Sequence, residues 1–125
     1  MRGAAALAIA AVVAIGFGCG GDGPEEVAVS YFEAIEDGAG ETACGYMTPA
    51  FRDEYATGGK TCAEVINGIG SPLAFPEATN VEEDAGTAQV EVTGERGTGG
   101  AIVELVEDGG EWRVEAARGA ESGRL

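Results

Sequence analysis

The chain has no histidine and a single lysine, Lys60. Without histidine there is no Ser-His or Cys-His nucleophile system, no Asp–His dyad and no His-ligated zinc. Cations as a whole are scarce. Seven basic residues face 22 acidic ones, for a formal net charge of −15. Such a surface repels phosphate and excludes a nucleic-acid partner. It also opposes adsorption onto anionic lipid. The simplest reading of the acidity is solubility; basic partners or cations are the alternative. There are three cysteines, and no two have the Cys-x-x-Cys spacing that lowers a thiol pKa. No internal repeat is present, and 125 residues hold one small domain.

What the chain does have is a crowded apolar start. Met1-Arg2 precedes an uncharged run from Gly3 to Gly18, followed by Cys19-Gly20-Gly21-Asp22. One basic residue, an apolar core and a small residue before a cysteine resemble a bacterial lipoprotein signal peptide. On that reading residues 1–18 are removed and lipid on Cys19 anchors the protein at the outer face of the cytoplasmic membrane. Residues 19–24 then form a flexible tether. Gly18 fits the pattern, whereas Gly16 and Phe17 depart from the Leu and small residue usual at those places. Two alternatives stay open: a secretory signal cut near Ala14–Gly20, and an uncleaved anchor. The run is shorter than the roughly 20 residues of a spanning helix. Cleavage before Cys19 leaves 6 basic and 22 acidic residues, a net charge of −16.

An odd cysteine count in an exported protein needs an explanation. Lipid on Cys19 leaves Cys44 and Cys62 to pair in an oxidising compartment. In the chain-entropy account such a bond contributes roughly 3 kcal/mol. Two free buried thiols are the alternative.

The remaining chain reads as an α+β domain over residues 25–117. Pro24 suits a first helical position, with Glu25 and Glu26 in the first turn. Ala28, Tyr31, Phe32 and Ile35 recur at helical spacing, and Gly38 and Gly40 end the helix. A short helix over 41–47 carries Cys44, and Thr48-Pro49 opens another with Phe51 and Tyr55 one turn apart. Thr61 and Glu64 have capping-box spacing. They predict a helix to about Asn67, with Val65, Ile66 and Ile69 available for burial. A weak first strand around Val81 and a turn at Glu83–Gly86 follow. Ala88, Val90 and Val92 alternate with polar residues, as a half-buried strand does. Ala101–Glu107 predicts a third strand, Asp108-Gly109-Gly110 a hairpin turn, and Trp112-Arg113-Val114 a fourth. Residues 118–125 read as a frayed tail. Helices followed by a meander argue for helices packed on one face of an antiparallel sheet of about four strands.

Three segments carry a family resemblance. They are Val27 through Ile35, the Cys44 and Cys62 pair around Met47-Thr48-Pro49-Ala50-Phe51-Arg52, and Glu111-Trp112-Arg113-Val114. Over about residues 25–117 the chain resembles the nuclear-transport-factor-two-like (cystatin-like) superfamily. It is similar in particular to small secreted actinobacterial lipoproteins, and the abundant alanine and glycine suit a GC-rich bacterial genome. The resemblance implies a cone-like, curved sheet around a pocket floored by helices, and a sheet face that can form a homodimer. Tyr31, Phe32, Phe51, Tyr55 and Trp112 are the residues to line such a pocket, around a small apolar ligand.

Function has to be argued from a site, because one fold hosts many activities. A ketosteroid-isomerase-like scheme needs only a carboxylate base and a tyrosine or protonated carboxyl donor. Asp53 with Tyr31, Tyr46 and Tyr55 supplies these residue types. That scheme requires a carboxylate in an apolar cavity. Glu82-Glu83-Asp84 and Glu107-Asp108 have no calcium-loop spacing. Gly97-Thr98-Gly99-Gly100 lacks the lysine and following helix of a phosphate loop. No catalytic, cofactor or metal residue is therefore assigned. The expectation is a non-enzymatic envelope lipoprotein whose domain contacts a partner protein or a small ligand. The pocket enzyme and a dimerising structural domain are the competing readings.

Overall fold

A computed structural model of the chain describes residues 23–69, 73–95 and 99–119. Helix α1 spans Pro24–Glu36. Proline at the first position has no amide to leave unpaired, and Glu26 Oε1 accepts from the Gly23 amide at 3.0 Å. Val27, Ala28, Tyr31, Phe32, Ala34 and Ile35 form its buried stripe. Helix α2 (Gly40–Gly45) and α3 (Pro49–Tyr55) follow. Thr48 caps α3, its Oγ1 accepting from the Phe51 amide at 3.1 Å. Helix α4 covers Cys62–Ile69. Its capping box is reciprocal: the Glu64 amide donates to Thr61 Oγ1, and the Thr61 amide to Glu64 Oε1.

Two helical expectations need correction. The helix expected over 41–47 stops at Gly45, because Met47 leaves it to form a parallel bridge with Val114. Ile69 is not buried but 56% exposed. It lies in the last turn of α4, beyond the Cys62 and Ile66 stripe that faces the core.

Four strands form an open antiparallel sheet in sequence order: β1 Glu77–Asp84, β2 Thr87–Thr93, β3 Gly100–Asp108 and β4 Glu111–Gly119. The β1–β2 turn is tighter than the expected Glu83–Gly86. Asp84 pairs with Thr87, leaving Ala85 (φ 51°) and Gly86 (φ 83°) as a two-residue loop. Gly109 (φ 63°) and Gly110 (φ 85°) make the equivalent β3–β4 turn. Two successive positive φ values match the right-handed twist of a hairpin. Arg118 and Gly119 are not part of a frayed tail. They pair with Ile102 and Ala101, so β4 continues two residues past the expected boundary. Residues 120–125 lie outside the described residues.

Register sorts the two faces of the sheet. Ala88, Val90, Val92, Ala101, Val103, Leu105 and Val114 are buried beneath the helices. Gln89, Glu91, Ile102, Glu104, Val106 and Arg113 alternate with them and point outward. Helix α1 contacts all four strands, so the core lies between it and the inner sheet face.

One close approach depends on glycine. The Gly40 amide donates to Asn67 Oδ1 at 2.9 Å. A Cβ there would meet Ala63 O at 2.6 Å and Asn67 Oδ1 at 2.7 Å. Gly40→Ala is expected to destabilise the domain by about 1–3 kcal/mol through overpacking. Gly45→Ala, where a Cβ meets open space, is the control. Urea melts of the two variants check this, and equal midpoints would refute it.

Candidate functional site

Cys44 in α2 and Cys62 at the start of α4 are bonded, with Cα atoms 6.3 Å apart across 18 positions. Both are 5% exposed. Cys62 Sγ lies 3.6 Å from Met47 Sδ, and Arg52 Nε donates to the Cys44 carbonyl at 3.2 Å. A shallow concavity of about 280 Å³, lined among others by Glu41, Arg52 and Thr61, opens beside the bond. The disulfide therefore staples α2 to α4, two helices that also pack directly against each other. The covered sulfurs and the absence of Cys-x-x-Cys spacing suit a structural bond.

Of the five aromatic residues expected to line a pocket, Tyr31, Phe32 and Phe51 are buried in the core, and Tyr55 and Trp112 are half-buried against it. Tyr31 and Phe32 are 1% and 0% exposed, with ring centroids 5.1 Å apart in an edge-to-face arrangement. Phe51 is buried and meets the half-buried Tyr55 edge-to-face at 5.2 Å. Trp112 is half-buried against the same core from β4. None of the five lines either of the two concavities described in this subsection.

The carboxylate and tyrosine site is not assembled either. Asp53 is exposed on α3, because Phe51 and Tyr55 occupy the inward face on either side of it. No charged side chain is buried among the described residues. Tyr46 is half-buried, and its backbone carbonyl accepts from the Val114 amide. The Tyr31 hydroxyl is pushed far above the ordinary tyrosine range, chiefly by burial and secondarily by Tyr55. Its neutral form is bound more tightly in the folded state. This stabilisation is present in full below the unfolded value of about 10 and is lost as pH rises above it. The domain is expected to lose stability above about pH 10, with Tyr31 ionising only on unfolding. Absorbance at 295 nm alongside circular dichroism tests this. Full tyrosine ionisation in a still-folded chain would refute it.

Glu82-Glu83-Asp84 belong to the end of β1 rather than to a turn. With Thr87, Gln89, Glu104 and Glu115 they border an open trough of about 430 Å³. Glu104 is ion-paired to Arg118. Among the described residues no group of three or more acidic or sulfur side chains is disposed to hold a metal ion.

The two sheet edges differ, and the sequence did not signal it. On β4, the Val114 amide donates to Tyr46 O and Val114 O accepts from the Thr48 amide, so the segment before α3 meets that edge at Val114. Along β1 no described backbone group outside the sheet bonds to the strand. Val81 faces the inner side, opposite Val90, yet is 39% exposed. Phe75, two residues before β1, is 70% exposed at φ 49°.

A family model described as a domain of unknown function (DUF4878) matches residues 17–115. The chain belongs to this family. No curated protein and no solved structure matches the chain significantly. The family match takes in the whole described α+β fold up to Glu115. Within this DUF4878 domain, the acidic trough and the bare β1 edge mark the surface, and the disulfide lies beneath it. Cys19 and the leader lie outside the described residues. No described helix is long and apolar enough to cross a membrane.

Proposed function

We propose that this DUF4878 protein is an exported lipoprotein, anchored at the outer face of the cytoplasmic membrane through Cys19. Its disulfide-pinned domain serves as a non-enzymatic interaction module for an envelope protein. The observation that carries this reading is the Cys44–Cys62 bond. It accounts for two of three cysteines, leaving as the odd one Cys19, which directly follows an apolar leader. Such bonds persist in oxidising compartments. The order of helices then meander supports placing the domain in the nuclear-transport-factor-two-like superfamily, beside small actinobacterial lipoproteins. Aromatic residues committed to the core favour protein contact over a small apolar ligand.

Intact mass of membrane-extracted protein, before and after reduction and alkylation, tests the proposal. The expected result is a chain beginning at Cys19 with a diacylglycerol adduct and two thiols that appear only on reduction. An unlipidated chain cut elsewhere, or an uncut one, refutes the anchor.

A second reading is a homodimer through the outer sheet face. Ile102, Val106 and Ala116 are half-buried there, between Arg113 and Arg118 on β4 and Glu82 and Glu91 on the β1–β2 side. Two copies stacked antiparallel would set those opposite charges against each other. Light scattering should then give a dimer mass that Val106→Glu halves. A strict monomer at high concentration removes this reading.

A further inference from the structure

We infer that the β1 edge, Glu77–Asp84, is a strand-addition site for an extended partner segment that alternates apolar and basic side chains. The inference rests on the interaction-module reading and specifies its partner. The argument begins with the backbone. Half the amides and carbonyls of an edge strand point away from its neighbour and form a template for another strand. On β1 nothing among the described residues outside the sheet takes them, whereas the β4 edge is met at Val114 by Tyr46 and Thr48. The bulge at Thr79 leaves Asn80–Asp84 as the regular stretch.

Side chains then set the occupant. Val81 has inner-face register but remains 39% exposed, because no further strand lies beside it. An apolar residue on an added strand would extend the core there. The outer-face positions are Glu77, Asn80, Glu82 and Asp84. The last two also border the acidic trough, together with Glu104 and Glu115. A lysine or arginine on the added strand would neighbour Glu82 and Asp84 as a favourable cross-strand pair. A second copy of β1 fits badly. β1 carries no basic residue, so an antiparallel copy would bring a second set of Glu82, Glu83 and Asp84 to the same seam, and like charges held close are destabilising. Edge carboxylates thus exclude a like strand while admitting a basic one.

The test uses the full chain in detergent with a fluorescein-labelled peptide, Lys-Val-Lys-Thr-Lys-Val-Lys-Val. One comparison peptide carries glutamate for lysine. Two others are N-methylated on alternate residues, one in each phase. Anisotropy reads affinity, and amide hydrogen exchange reads location. The lysine peptide is expected to bind, to slow exchange within residues 77–84, and to lose about tenfold or more in affinity on N-methylation in one of the two phases. Glu82→Lys with Asp84→Lys is expected to switch preference to the glutamate peptide. Failure of the lysine peptide to bind overturns the inference. So does binding that neither methylated phase weakens, which would be charge attraction alone, and so does protection confined to the outer faces of β2–β4. A photo-crosslinker at Val106 that captures an envelope protein, while one at Val81 captures none, would overturn the edge assignment and leave the module reading standing.

Discussion

Phe32→Ala is expected to destabilise the domain by about 3–5 kcal/mol, the largest effect of any single change considered. Phe32 is fully buried at the centre of the α1 stripe, edge-to-face with Tyr31. Truncation removes its apolar burial and leaves a cavity between α1 and the sheet, and the two penalties add. A domain of this size has only about 5–15 kcal/mol of total stability, so much of it disappears with one side chain. Urea unfolding followed by Trp112 fluorescence measures the effect. Phe75→Ala is the matched control. Its ring is 70% exposed, and surface changes of that kind fall within about 0.5 kcal/mol. A Phe32→Ala variant within 1 kcal/mol of the parent would mean that α1 is not seated on the sheet as described.

The second large effect is loss of the disulfide. Cys44→Ala with Cys62→Ala is expected to cost about 3 kcal/mol, a fall in Tm on the order of 15 °C for a domain this small. The bond closes a loop spanning 18 positions, and its main action in the chain-entropy account is to restrict the unfolded chain. The native contacts nearby should survive, including Gly40 with Asn67 and Met47 with Val114. The reduced parent and the double variant should therefore melt together, with far-ultraviolet circular dichroism close to that of the oxidised protein. If reduction leaves Tm unchanged, the staple contributes nothing and the helical layer stands on packing alone.

The helices were legible because their signals are local. Pro24, the Thr61 and Glu64 pair, and the spacing from Ala28 to Ile35 all act within one or two turns. The Cys44 and Cys62 pairing follows from setting Cys19 aside as the expected lipid site, with no geometry required. Strand β1 was faint because Val81 is the only large apolar residue among its acids, and its pairing with β2, not its own pattern, holds it in place. The Ala85-Gly86 turn looked longer because alanine rarely adopts positive φ. Local sequence alone places Met47 in a helix, because its real partner, Val114, lies far away in sequence. Tyr31, Phe32 and Phe51 belong to the core for a volumetric reason. Ala28, Ala34, Ala88 and Ala101 are all buried. Such small side chains bring α1 and the sheet close together, so the aromatic rings fill the interior rather than surround a void.

That α1 packs on strands from the far end of the chain has a consequence for biogenesis. Its apolar stripe leaves the ribosome before any strand, and the last residue of the buried hydrophobic cluster, Val114 in β4, emerges roughly 80 residues later. At about 5–20 residues per second, Tyr31 and Phe32 wait roughly 4–16 s before the last strand exists. A chain in that interval cannot yet complete its core, and it offers a chaperone an apolar helix to hold. Cys44 and Cys62, only 18 positions apart, can meet well before β4 arrives. Closing that short loop needs neither β4 nor the finished core, so in an oxidising compartment the covalent link can form at any stage of folding.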